Sequence, residues 1–251
     1  MFGSPGRRAV EERLRGLRDE LGLDFVVVNG ENAADGRGIT PKLADRILAA
    51  GADVITLGNH TWARRELAPY LAGAERVIRP ANFARNAPGK GLAVAPAADG
   101  TPVAVINLMG TLFLDVAHSP WELVDELVDE AKRQAQVVLV DLHAEATSEK
   151  VAMARWLDGR ATAVLGTHTH VQTNDARIQP GGTAALSDVG MTGPHDSVIG
   201  VDGDLILRRL RTGMPVRFEP ASGDVRIEGA LLECDAASGR ATSIELFRLA
   251  V

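Results

Sequence analysis

The chain has 251 residues, of which 45% are hydrophobic and 24% are charged, and these are ordinary proportions for a globular protein. They exclude a disordered, collagen-like or coiled-coil protein, and no run of about 18 uninterrupted apolar residues predicts a membrane-spanning helix. The single cysteine, Cys234, excludes a disulfide framework, and the net charge of −6 gives no sign of a long nucleic-acid partner. Because the first residues also lack the apolar core of a secretory signal, we expect a cytoplasmic protein.

Helix and strand signals alternate along most of the chain. In order, the patterns predict a helix after Ser4-Pro5, a strand over 25–28, a helix after Thr40-Pro41, a strand over 54–57, a helix from about 63 to 71, a strand over 103–108, a helix after Ser119-Pro120 with Trp121, Val124, Leu127 and Val128 facing inward, a strand over 137–140, a helix from Thr147 and a strand over 163–165. Past about Pro215 the pattern changes to alternating strands around 225–227 and 244–247. We therefore predict an α/β fold in one domain over residues 1–251, with antiparallel strands added late.

Polar side chains of the kinds that bind metals follow directly after four of these strands. They are Glu31, Asn32, Asn59, His60, His143, His168 and His170. Because the carboxyl ends of strands in an α/β sheet lie along one edge, we expect these side chains to converge. Imidazole suits transition metals, oxygen ligands add harder donors, and one carboxylate could bridge two cations. Four of the six histidines belong to this set, whereas scattered placement would be the ordinary expectation.

Each of these signals also has a purely structural interpretation. A histidine after a strand, such as His143, is usually a satisfied polar residue, and Gly58-Asn59-His60 has the composition of a turn. The His168-Thr169-His170 segment is more specific, because alternate residues of an extended chain point to the same side. His195 lies in a polar loop, where it could contact a substrate or serve only the structure.

Four motifs follow one another along the chain. They are Gly30-Glu31-Asn32, Gly58-Asn59-His60, His143-Ala144-Glu145-Ala146-Thr147 and Gly166-Thr167-His168-Thr169-His170. In this order they resemble the calcineurin-like metallophosphoesterases, and most closely their bacterial YmdB-like branch of 2′,3′-cyclic-nucleotide 2′-phosphodiesterases. The resemblance covers nearly the whole chain. It implies a four-layer α/β sandwich, with mixed sheets flanked by helices, that holds two divalent or trivalent transition metal ions, iron or manganese.

The resemblance also implies a role for each motif residue. By position, these roles are Glu31 bridging the two metals, Asn59, His143 and His168 holding one ion, Asn32 and His170 holding the other, and His60 as the catalytic histidine. The implied partner is a small phosphodiester or cyclic nucleotide, and a homo-oligomer is left open. His195 stays a candidate contact to that substrate.

The chain departs from the family pattern at its first residues. The family begins with an apolar strand ending in Gly-Asp-Val, whose aspartate is a ligand of the first metal. Phe2-Gly3-Ser4-Pro5-Gly6 matches the segment that follows this strand, and Met1 stands at the valine. A valine codon read as a start codon would produce this sequence. We therefore expect a fold in which the first strand and its aspartate are missing, which leaves buried backbone groups unpaired.

These residues predict a dinuclear metal-dependent phosphodiesterase in which a metal-bound hydroxide attacks phosphorus. His60 would stabilise charge on the phosphoryl oxygens and protonate the leaving oxygen. A 2′,3′-cyclic nucleotide would then yield a 3′-phosphate. Two alternatives stay open. One is a non-catalytic metal-binding regulatory module with a decayed first site, and the other is a phosphomonoesterase that uses the same residues.

Overall fold

A computed structural model describes the whole chain, residues 1–251. Its helices are α1 (Gly3–Leu21), α2 (Pro41–Ala49), α3 (Leu67–Gly73), α4 (Pro120–Lys132), α5 (Thr147–Trp156) and α6 (Gly203–Thr212). Its strands are β1 (Val27–Asn29), β2 (Val54–Thr56), β3 (Val77–Ile78), β4 (Leu92–Pro96), β5 (Pro102–Met109), β6 (Val137–His143), β7 (Ala163–Thr167), β8 (Arg177–Ile178), β9 (Ala184–Leu186), β10 (Gly193–Asp196), β11 (Gly223–Asp235) and β12 (Arg240–Ala250). The predicted α/β class is confirmed. None of the helices has both the length and the apolar character needed to cross a membrane.

The strands form three sheets, in the orders β1-β2-β3, β4-β5-β6-β7-β9-β8 and β10-β11-β12. In the six-stranded sheet the central strands β5, β6, β7 and β9 are parallel, and β4 and β8 add antiparallel edges. His143 pairs with Met109 on one side and with Thr167 on the other. This register places the carboxyl ends of β5, β6 and β7 side by side.

Neighbouring residues of a strand contribute to different apolar clusters. Ile55 packs in the cluster formed by α1, α2 and α3, whereas Val54 packs in a cluster shared with β4 and β5. Val105 joins that shared cluster, and Ile106 joins the cluster formed with α4 and α5. Since successive side chains of a strand point to opposite faces, β2 and β5 are apolar and buried on both faces. The continuous apolar runs in the sequence reflect this two-sided burial.

The predicted helix from about 63 to 71 is wrong in its first half. A short 3₁₀ turn covers Thr61–Ala63, the backbone of Arg64 is extended, and α3 begins only at Leu67. The Arg64 guanidinium donates to the carbonyl oxygens of Ala34, at 2.6 Å, and Arg37, at 3.2 Å. The break in the helix therefore coincides with the residue that binds the loop after β1.

The predicted inward face of α4 is correct for Val124 and Val128, which are buried. Trp121 is 40% exposed, so its inward assignment is wrong, because it lies outside the apolar cluster that the other two join. The sequence patterns also missed α6. Asp202 caps this helix by accepting from the backbone N–H groups of Asp204 and Leu205, and these capping signals could have located it.

Tyr70 on α3 provides a test of how α3 packs against α2. It is the only tyrosine of the chain, and its hydroxyl donates to Asp45 Oδ1 at 2.7 Å. Burial and this hydrogen bond raise the pKa of Tyr70 to about 12. A raised pKa stabilises the folded chain below the ordinary value of about 10, and this stabilisation is lost as the pH rises through about 12.

We expect absorbance titration of the native protein to give a tyrosinate midpoint near 12. Asp45→Asn should move the midpoint back toward about 10, because it removes the carboxylate charge beside the phenol. Circular dichroism at each pH would establish that the chain is still folded. A midpoint near 10 in both folded proteins would contradict the packing described for Tyr70.

Candidate metal centre

The predicted site residues come from the loops and strand ends that follow β1, β2, β6 and β7. The structure brings all seven to one edge of the sheets. His168 and His170 both have backbone φ in the left-handed region, at 96° and 64°. This conformation is uncommon for residues other than glycine, so the loop after β7 turns sharply where it presents its two imidazoles.

Three side-chain atoms surround Nε2 of His143 at hydrogen-bonding distance. They are Asn59 Oδ1 at 2.9 Å, His168 Nδ1 at 3.1 Å and Glu31 Oε1 at 3.2 Å. Glu31 and His143 are each 1% exposed. Candidate ligand atoms of Glu31, His143 and His168 lie within 4.8 Å of one another, which is the spacing of a group that could hold a metal ion.

The surrounding hydrogen bonds determine which atoms of the two imidazoles carry protons. The Thr167 hydroxyl donates to Asp141 Oδ1 at 2.7 Å, so its oxygen accepts from His143 Nδ1 at 2.9 Å. His168 Nε2 lies 3.0 Å from Glu145 Oε2 and donates there. His143 Nε2 and His168 Nδ1 therefore face each other as lone pairs, beside the oxygens of Asn59 and Glu31. Acceptors that converge in this way require a cation between them, or a proton.

The pKa shifts of the buried residues also fit a cation between these acceptors. Burial opposes ionisation of Glu31, but His143 and His60 beside it lower its pKa to about 2. Burial also opposes protonation of His143, yet the Glu31 carboxylate outweighs it and raises the His143 pKa. For His168, burial and the neighbouring His143 lower the pKa to about 4. The group thus contains the Glu31 carboxylate, which is negatively charged, and the His168 imidazole, which is readily available as a neutral ligand.

A second pair of candidate ligands lies next to Glu31. His170 Nδ1 donates to the carbonyl oxygen of Ile199 at 3.0 Å, which leaves Nε2 as a lone pair 3.1 Å from Asn32 Nδ2. Asn32 Nδ2 also donates to Glu31 Oε1 at 3.2 Å, while the buried Oδ1 of Asn32 has no hydrogen-bond partner. Turning this amide by half a rotation would direct Oδ1 at His170 Nε2, and the two would form a ligand pair.

His60 stands beside the buried group and lines the adjoining cavity. Its backbone N–H donates to Glu31 Oε2 at 3.2 Å, and its Nδ1 lies 3.4 Å from Asn59 Nδ2. Because the Asn59 amide donates to Nδ1, the ring proton of a neutral His60 is at Nε2. Burial lowers the pKa of His60, opposed by Glu31. Gly58 permits this packing, since a Cβ there would lie 2.3 Å from Glu31 Oε2.

The cavity has a volume of about 610 Å³ and is lined by sixteen residues, among them Glu31, His60, His168 and His170. Arg37 also lines it and has no hydrogen-bond or ion-pair partner for its side chain, so its guanidinium is available to an anion. Sequence reasoning missed Arg37, because an arginine in a glycine-rich loop carries no signal of its own. The structure does not bring His195 to this cavity. Its Nε2 lies 3.1 Å from the Met191 carbonyl oxygen instead.

A buried ion pair between Lys150 and Asp188 holds the His168-Thr169-His170 loop in place. Lys150 Nζ donates to Asp188 Oδ2 at 3.1 Å and to Thr169 Oγ1 at 2.9 Å, and the two charged side chains are 4% and 1% exposed. Asp188 Oδ2 also accepts from the backbone N–H of Thr169 at 3.0 Å. These bonds hold the residue between the two histidines and explain how the left-handed loop is kept in place.

Residues 1–247 match the family described as YmdB-like protein. The chain is 45% identical over 245 residues to the 2′,3′-cyclic-nucleotide 2′-phosphodiesterase of Bacillus subtilis, covering 98% of this chain and 92% of that protein. Both findings extend over nearly the whole sequence.

Two solved structures are also similar to this chain. A hypothetical protein from Thermus thermophilus superposes with a TM-score of 0.92 at 41% identity, covering 99% of this chain and 96% of that one. A phosphatase from Mycoplasma pneumoniae superposes with a TM-score of 0.90 at 32% identity, covering 99% of this chain and 90% of that one. The whole fold described above is therefore shared with proteins of known structure.

Lys150→Met tests the role of the buried ion pair. It should lower the free energy of unfolding by about 3–5 kcal/mol, because it leaves the Asp188 carboxylate buried and unpaired. Chemical denaturation would measure this loss, with Lys42→Met as a matched control on an exposed lysine. Adding Asp188→Asn to Lys150→Met should recover part of the loss. Equal stability of the Lys150 and Lys42 variants would refute the structural role of the pair.

Proposed function

The chain belongs to the YmdB-like family and is a phosphoric ester hydrolase, and we propose that it hydrolyses 2′,3′-cyclic nucleotides or similar small phosphodiesters with two bound metal ions. The observation that carries this proposal is the convergence of acceptor atoms around His143 Nε2, because a buried group with lone pairs and a carboxylate fits a cation. A non-catalytic module is not favoured, since the similar proteins of known activity are named as enzymes.

We assign the metal ligands as follows: Glu31 shared between two ions, Asn59, His143 and His168 with the first, and Asn32 and His170 with the second. Imidazole and oxygen donors suit iron or manganese, the ions that the resemblance implies. The unpartnered Oδ1 of Asn32 supports the second position. Glu145 orients the His168 imidazole directly, and Asp141 orients the His143 imidazole through Thr167. Carboxylates commonly play this part around metal-binding histidines.

The bound ions would supply Lewis acidity and an activated water near neutral pH. The residues of the chain bind the phosphate and transfer protons. Arg37 binds a phosphoryl oxygen, because it is an unpaired cation at the cavity. As neutral imidazole, His60 donates a hydrogen bond from Nε2 to a phosphoryl oxygen; as imidazolium, it transfers the Nε2 proton to the leaving oxygen and returns to neutral imidazole. A water oxygen forms a bond to phosphorus, the bond from phosphorus to the 2′ oxygen breaks, and that oxygen takes up the proton from His60, so the product is a 3′-phosphate.

We propose that the fold is one domain of four layers. The three apolar clusters support this arrangement, since they join helices to β1-β2-β3, that sheet to β4 and β5, and the six-stranded sheet to α4 and α5. β1 forms an edge of its sheet, and Phe2 pairs with Asn32 beyond the end of this strand in a parallel bridge. A further strand joined ahead of Phe2 would extend this parallel pairing along β1.

The proposed function predicts manganese-dependent hydrolysis of 2′,3′-cyclic AMP with a 3′-phosphate as product. Glu31→Gln should lose both metal and activity, because it removes the shared anionic ligand without changing the size of the side chain. The same assay on a chain extended by an apolar strand ending in Gly-Asp-Val measures what an added aspartate contributes. Folded, metal-loaded protein that leaves the cyclic nucleotide intact in both forms would overturn the substrate assignment.

His60→Ala separates metal binding from catalysis. Turnover should fall by about 10²–10⁴-fold if His60 transfers the proton, whereas metal content should stay the same because His60 is outside the ligand set. Elemental analysis and steady-state kinetics on the same sample make the comparison direct. His118→Ala is the matched control, since that histidine lies in the loop before α4. Unchanged turnover in His60→Ala would remove this residue from the mechanism.

A further inference from the structure

We propose that an apolar wall of the cavity, formed by Ile199, Val201 and Phe218, binds the nucleobase of the substrate. This inference rests on the proposed function, since it concerns the same cavity. The cavity volume of about 610 Å³ lies within the range of sites for whole small molecules, about 300–1,000 Å³. All three apolar residues line it, together with the metal-binding side chains and Arg37. The cavity thus combines residues that suit a phosphate with a wall that suits an apolar group.

The wall begins in a tight turn that carries an unexpected residue. Val198 and Val201 exchange backbone hydrogen bonds of 2.9 and 3.1 Å around the two residues Ile199 and Gly200, whose φ angles are 47° and 101°. Such a turn requires positive φ at both positions, for which Asn-Gly is preferred. A β-branched residue is strained there, and strain of this kind concentrates at ligand-binding sites. The strained residue projects an apolar side chain that is 51% exposed.

Several contacts connect this turn to the metal centre and to Phe218. The Ile199 carbonyl oxygen accepts from His170 Nδ1 at 3.0 Å, so the turn is joined directly to a candidate ligand. The backbone N–H of Ala221 donates to the Gly200 carbonyl oxygen at 2.9 Å, which brings the segment after Phe218 alongside. The Arg209 guanidinium lies 5.8 Å from the centroid of the Phe218 ring. The turn is therefore held both to a candidate metal ligand and to the segment that follows Phe218.

The exposure of the wall indicates its ligand. Phe218 is 41% exposed although it lines a concave site, so both it and Ile199 leave apolar surface in water. A simple alkyl phosphodiester offers little apolar surface to place against them. A nucleobase has a flat apolar face that stacks on aromatic rings, and loss of such stacking typically weakens binding about tenfold. The matching ligand class is a nucleoside cyclic phosphate rather than a phosphodiester without a base.

Ile199→Asn separates binding from folding, because asparagine is favoured at this turn position. We expect an unchanged or higher melting temperature together with a KM for 2′,3′-cyclic AMP raised about tenfold. Phe218→Ala should raise this KM similarly. For the 2′,3′-cyclic phosphate of methyl ribofuranoside, which lacks the base, both variants should keep the wild-type KM. Leu210→Ala, an exposed leucine outside the cavity, should change neither KM.

Binding of adenosine alone, measured by calorimetry, tests the wall without hydrolysis. Weaker adenosine binding in both variants supports the wall even if the wild type hydrolyses neither cyclic phosphate, an outcome that would refute only the proposed function. If both substrates are hydrolysed and the variants leave both KM values unchanged, or shift them equally, the proposed base-binding role of the wall is wrong. The proposed function is not affected by that result. A change of oligomeric mass with unchanged KM and adenosine binding would instead make this surface an interface between copies, which also overturns the wall.

Discussion

Glu31 and His143 lie 3.2 Å apart in a place almost completely shielded from water, and the arrangement of the site depends on this contact. A buried carboxylate is costly unless positive charge or hydrogen-bond donors meet it. The His60 backbone N–H and the Asn32 amide donate to it at 3.2 Å each, whereas Asn59 and His168 direct lone pairs at Nε2 of the adjacent His143. The loops after four strands are shaped around this group. Gly58 has no side chain that would collide with Glu31 and His143. Thr167 donates to Asp141 and accepts from His143 Nδ1, which orients the His143 ring.

The part of the site that could be predicted follows from one rule of sheet geometry. Residues directly after parallel strands share an edge, which groups Glu31 with Asn59 in one sheet and His143 with His168 in the other; the meeting of these two edges comes from the packing of the two sheets. Lys150 could not be recognised in this way. On a helix its sequence context predicts a solvated lysine, yet it is buried, because its partner Asp188 lies 38 residues further along the chain.

The fold shows the same division between local and distant causes. Long apolar runs predict β5 and β6 because both of their faces are covered. β3 and β8 have only two residues each, and their strand conformation comes from neighbours rather than from a pattern of their own. Helical spacing assigns Trp121 to the inward face of α4 because spacing identifies a face. The spacing does not tell how far along that face the packing extends.

The separation of the site residues along the chain also governs how the protein reaches its active form. Asn29 meets Asp141 across 112 positions, and Asn59 meets His143 across 84. Contacts between such distant residues form late, because the entropy of closing long loops must first be overcome. A partly folded chain therefore lacks the complete candidate site. The candidate ligands come together only when both sheets assemble, so an ion that binds only the folded chain would stabilise it against unfolding.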